Sequence, residues 1–105
     1  MRDPGGRSLG MPKLENLLAL ALRRARKGDW QGAHGIVQRH EGEAHADWIH
    51  AVLHRVEGDL GNARYWYRRC GRTLPKDESP EAEFARIADA LGTQRNTKPR
   101  RKGRT

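Results

Sequence analysis

Three features of the sequence predict an all-α chain. Apolar residues recur at three- and four-residue spacing in five separate stretches. The pair Gly28-Asp29 returns as Gly58-Asp59, in each case a helix stop followed at once by a helix cap. The sequence has no alternating β-branched run of the kind that makes a half-buried strand. The expected architecture is two antiparallel helical hairpins plus a C-terminal capping helix, five helices in total.

The first helix opens near Pro12, which suits a first turn, and carries Leu14, Leu17, Leu18, Ala21, Leu22 and Ala25 until Gly28 stops it. Asp29 then caps a second helix bearing Trp30, Ala33, Ile36 and Val37, which ends near Gly42. A third, about Ala44 to Glu57, shows Trp48, Ile49, Val52, Leu53 and Val56. Gly58 ends it, and Asp59 starts a fourth, about Leu60 to Arg72, with Ala63, Tyr67 and Cys70 on one stripe before Leu74-Pro75. Ser79-Pro80 is a cap followed by a first-turn proline, and it opens a fifth helix with Phe84, Ile87, Ala88 and Leu91 that Gly92 is expected to close.

A chain of 105 residues is one domain, and at this size most of its apolar side chains must be buried for it to fold. Only 35% of residues are hydrophobic and 32% are charged, so the core is thin and a large cofactor-binding enzyme is excluded. The net charge of +8 is unevenly placed. Residues 13–91 are almost neutral, whereas Arg95, Lys98, Arg100, Arg101, Lys102 and Arg104 have no acid among them. Residues 1–11 read as a disordered leader, 12–92 as the helical domain and 93–105 as a disordered basic tail, which lacks apolar side chains to offset the entropy of folding. The longest apolar run, Leu17 to Leu22, is far short of the ~20 residues that span a bilayer, and no membrane association is expected. A single cysteine makes no internal disulfide, which fits a reducing cytoplasm.

After the second Gly-Asp pair the spacing Gly58, Leu60, Ala63, Tyr67, Cys70, Pro75, with Ala51 seven residues before it, resembles the second half of a tetratricopeptide repeat. Gly28, Trp30, Ala33 and Val37, with Ala21, repeat part of that pattern. The period is thirty residues, shorter than the family's, and Asp47, His50 and His54 stand where the repeat has large, mostly apolar side chains. Residues 48–72, from Trp48-Ile49-His50-Ala51 through Glu57-Gly58-Asp59 to Tyr65-Trp66-Tyr67-Arg68-Arg69, also resemble a group of small bacterial helical proteins with no assigned activity. The resemblance implies the fold and leaves the function open. It assigns no reaction.

On a helical wheel of about 100° per residue, Asp47, His50, His54 and Glu57 form a stripe separate from the apolar face of the third helix. Two histidines four apart, flanked by carboxylates, have metal-ligand spacing, but two imidazoles do not complete a tetrahedral shell. The expectation is therefore a polar, partner-facing stripe holding no metal or other cofactor. His34, His40 and His45, on or beside the preceding helix, are the residues able to overturn that expectation.

The fourth helix gathers Arg64, Tyr65, Trp66, Tyr67, Arg68, Arg69 and Arg72. Trp66 and Arg69 join the stripe as protein-contact candidates, since Trp and Arg dominate binding hot spots. The alternative is a nucleic-acid-binding accessory protein that uses Arg64, Tyr65, Arg68, Arg72 and the tail residues Arg100, Arg101 and Lys102. Catalysis is not expected: the helix-stopping glycines come singly, no serine is framed by a base, and Cys70 reads as a small packed residue. The reading is a small protein-interaction module, monomeric or weakly dimeric, that binds a protein partner through its third and fourth helices.

Overall fold

The computed structural model describes residues 13–95; the expected leader, and the expected tail from residue 96 onward, lie outside them. Five helices follow one another: α1 (Leu14–Arg26), α2 (Trp30–Gln38), α3 (Ala44–Val56), α4 (Leu60–Arg69) and α5 (Pro80–Arg95). The described residues contain no strand, and the fold class is all-α.

The two Gly-Asp links share one geometry. Gly28 and Gly58 have φ of +88° and +87°, a region that a side chain would strain. The residue after each glycine donates its N–H to a carbonyl five residues back, Asp29 to Arg24 at 2.8 Å and Asp59 to His54 at 2.9 Å. That bond closes the helix end, as in a Schellman motif. The same aspartates then open the next helix, accepting the amides of Gly32 and Asn62. Three residues thus stop one helix and start another.

Elsewhere the boundaries differ from expectation. α4 ends at Arg69, three residues early, because Gly71 takes a positive φ and Arg72 donates to the Tyr67 carbonyl at 2.8 Å. α5 passes through Gly92, which keeps a negative φ, so the expected domain boundary there is not a helix end. α3 gains a cap that the sequence reading missed: the Glu43 carboxylate accepts the amides of His45 and Ala46 at 2.9 and 3.0 Å. The Ser79 cap is present, its hydroxyl accepting the Ala82 amide at 3.0 Å.

α1 packs on α2 and α3 on α4, while α5 lies across α1 and α3. α3 touches all four other helices. Its nine residues from Ala46 to His54 are consequently all buried, apolar and polar alike. Val56, expected on the apolar stripe, is 52% exposed at the helix end.

A buried carboxylate joins three elements. Glu83 of α5 is 1% exposed and accepts Trp48 Nε1–H at 2.9 Å, Arg55 Nη1–H at 2.9 Å and the Tyr67 hydroxyl at 2.6 Å. A charged hydrogen bond in such surroundings is stronger than a neutral one, and one carboxylate has lone pairs for all three donors. Arg55 also reaches the Glu78 carbonyl, and the Arg72 guanidinium lies over the Trp48 ring at 3.4 Å. Burial and Glu83 together hold the Tyr67 phenol well above its ordinary range.

Candidate functional site

The structure corrects the partner-facing stripe. Asp47 is 1% exposed, His50 2% and His54 9%, so none of the three is available to a partner. They are inside because α2 and α4 cover α3 on the side that a wheel drawn for α3 alone leaves open. Trp66, another contact candidate, is also buried, at 8% exposure. Only Glu57 and Arg69 of that set reach the surface.

The surroundings of these buried groups differ. Both Asp47 oxygens accept the Gly42 amide, at 3.1 and 3.2 Å, pinning the loop before α3 at its positive-φ glycine. Burial raises the Asp47 carboxyl above its usual range, and the Gly42 bond opposes the rise. His50 stacks flat on Trp66, with ring centroids 3.9 Å apart, and the Arg69 guanidinium lies 5.0 Å from the same indole. Arg69 is held there by the Tyr65 hydroxyl, to which it donates at 3.0 Å.

His34 completes a second grouping. One turn along α2 from Trp30, it stacks on that indole at 4.5 Å and presents its ring to His50 and His54. The three imidazole centroids lie 4.7 Å (His34–His50), 5.5 Å (His34–His54) and 5.1 Å (His50–His54) apart. One ring nitrogen from each lies within 4.8 Å of the other two. Trp30 Nε1 donates to the Leu53 carbonyl at 2.7 Å, which fixes α2 against α3 at this point. His54 Nδ1 is engaged by the Glu57 carboxylate at 2.6 Å, and Nδ1 of His50 is buried with no hydrogen-bond partner.

No protein-family model, curated protein or solved structure matches this chain. Burial, then the neighbouring imidazoles, push His50 down to about 3, and burial followed by His54 lowers His34. Both rings are neutral near pH 7, each with one nitrogen lone pair.

The basic face sits on the other side of α4. Arg64, Arg68 and Arg72, with Lys76 beyond the helix, line a cleft of about 530 Å³ together with Tyr67, Leu74 and Pro75. Among the described residues no carboxylate pairs with Arg64, Arg68 or Arg72. Tyr65 is 43% exposed and stands apart from this cleft, beside Arg69. Arg100, Arg101 and Lys102 lie outside the described residues. Cys70 is half-buried, its thiol donating to the Tyr67 carbonyl at 3.4 Å, and burial raises it above the usual thiol range despite Arg72. A raised thiol is a poor nucleophile at neutral pH. No described helix is long and apolar enough to cross a membrane.

Proposed function

We propose that this chain is a small protein-interaction module whose contact surface is the outer face of α4 and the link to α5. The observation that carries the reading is the cleft with Arg64, Arg68, Arg72 and Lys76 around it and Tyr67, Leu74 and Pro75 within it. Its basic rim complements an acidic segment of a partner protein, and its apolar lining accepts a hydrophobic anchor from the same segment. Burial of the His/Asp stripe moves the surface outward from α3 to α4. The paired Gly-Asp links, so like those of a tetratricopeptide hairpin, support a role in presenting one helix face to a ligand.

A nucleic-acid partner is the second reading. It is favoured by the exposed Tyr65 ring beside Arg69, which offers a stacking surface next to a phosphate-binding cation. Fluorescence anisotropy with a labelled peptide of alternating Glu and Leu, competed by a single-stranded oligonucleotide, separates the two. The peptide is expected to bind and to be lost in the double variant Arg64→Glu, Arg68→Glu. Oligonucleotide binding that displaces the peptide and collapses between about 50 and 200 mM salt would replace the first reading by the second.

A further inference from the structure

We propose that His34, His50 and His54 form a binding site for a single Zn²⁺ ion, bridging α2 and α3. The site is separate from the α4 cleft and does not depend on its role.

The ring positions are those that a tetrahedral ion requires. Zn–N bonds of about 2.0–2.1 Å place each imidazole centroid about 3.2 Å from the metal, and tetrahedral angles then separate the centroids by about 5.2 Å. The observed separations of 4.7, 5.1 and 5.5 Å bracket that value. The candidate donor nitrogens, within 4.8 Å of one another, need only rotate their rings inward to close on an ion. His50 and His54 are one turn apart on α3, so both project from the same side of one rigid helix, and His34 faces them from α2.

Two further features have a direct explanation in metal binding. The unpartnered buried Nδ1 of His50 is a lone pair or an N–H with nothing to meet, which buried polar atoms seldom show. Rotation about the side chain that brings His50 Nδ1 to the ion gives that atom a partner. The Glu57 carboxylate on His54 Nδ1 is the arrangement found behind zinc-binding histidines, where it fixes the tautomer and leaves Nε2 to bind the metal. Three neutral nitrogen donors suit Zn²⁺ and exclude Mg²⁺ and Ca²⁺, which require oxygen. Among the described residues no fourth ligand joins the three histidines, so the fourth position falls to water. Trp30 and Trp66, stacked on His34 and His50, form apolar walls along the faces of those rings.

The test is a titration of the full chain, freed of metal with a chelator, against zinc chloride in competition with a chromophoric indicator. One equivalent is expected to bind, with a rise in Tm, and excess Mg²⁺ is expected not to displace it. His34→Ala and His54→Ala should each weaken binding by about 100-fold, Glu57→Gln by about tenfold, and His40→Ala not at all. A second measurement does not depend on the variants folding: on zinc addition the ¹⁵N resonances of the His34, His50 and His54 rings should shift together while those of His40 and His45 stay. Zinc binding equal in the parent and in His34→Ala, or ring shifts confined to His54, would overturn the site. The latter would assign the ion to His54, Glu57 and Asp59 at the helix end.

Discussion

Glu83 accepts the indole N–H of Trp48 at 2.9 Å across 35 residues of sequence, with both side chains almost fully buried. The bond ties the last helix to the central one. Because Arg55 and Tyr67 donate to the same carboxylate, the charge is compensated where it sits.

Removing that carboxylate strands its donors. Glu83→Ala leaves Tyr67 and Trp48 without an acceptor and Arg55 with the Glu78 carbonyl alone, and a loss of about 3–5 kcal/mol is expected. Glu83→Gln keeps the shape and one acceptor and should lose less. Urea denaturation followed by far-ultraviolet circular dichroism measures both. Equal, small shifts for the two variants would mean that the network contributes little.

Close helix approach predicts intolerance at two alanines. Ala51 of α3 and Ala63 of α4 are fully buried, and these two helices pack on each other. Ala51→Leu and Ala63→Leu should each destabilise by roughly 1–3 kcal/mol through overpacking. Parent-like melting in both would disprove tight packing at this crossing.

The links predict a chemical specificity. Asp29→Ala and Asp59→Ala remove caps that satisfy the Gly32 and Asn62 amides, and each should lower Tm by a few degrees. Asn at either position should retain most of the stability, since its side-chain oxygen can accept the same bond. A Tm for the Asn variants as low as for the Ala variants would point to charge, and not capping, as the contribution.

Acid should weaken the metal-free protein through His50. In the unfolded chain this ring takes a proton near 6.5, whereas in the fold it resists until about 3. Burial is the main cause, and the neighbouring His34, His54 and Arg69 add to it. Between those values the unfolded state binds more protons, so stability falls as pH falls, by about 1.4 kcal/mol per pH unit from this group. Chemical denaturation at pH 7, 6 and 5 with chelator present reads the slope. His50→Gln should reduce it, and a flat profile in the parent would contradict the mechanism.

Local signals carried most of the fold. Gly28-Asp29, Gly58-Asp59 and Ser79-Pro80 mark helix boundaries through backbone chemistry that acts within a few residues, and a sequence displays that chemistry directly. The polar stripe of α3 was legible as a stripe but not as an interior one. An amphipathic wheel assumes that one face meets water, and a helix covered by four neighbours breaks that assumption. His34 lay among the named candidates, yet joining it to His50 and His54 requires knowing that α2 and α3 cross at Trp30 and Leu53. Glu83 gave no signal: a Glu in the first turn of a helix ordinarily serves the helix dipole at the surface.

The carboxylate latch also bears on how the molecule opens. α5 packs along α1 and α3 and meets α4 through the Glu83–Tyr67 hydrogen bond, so its departure leaves the remaining helices in contact with one another. That departure cannot proceed by gradual fraying from Pro80, because release of Glu83 uncovers the Trp48, Arg55 and Tyr67 donors in one event. In native-state hydrogen exchange the α5 amides around Phe84 to Leu91 should therefore exchange as a single cooperative unit, at a lower free energy than the amides of α3. Glu83→Gln should speed exchange across that whole unit while leaving α1 and α2 at their parental rates.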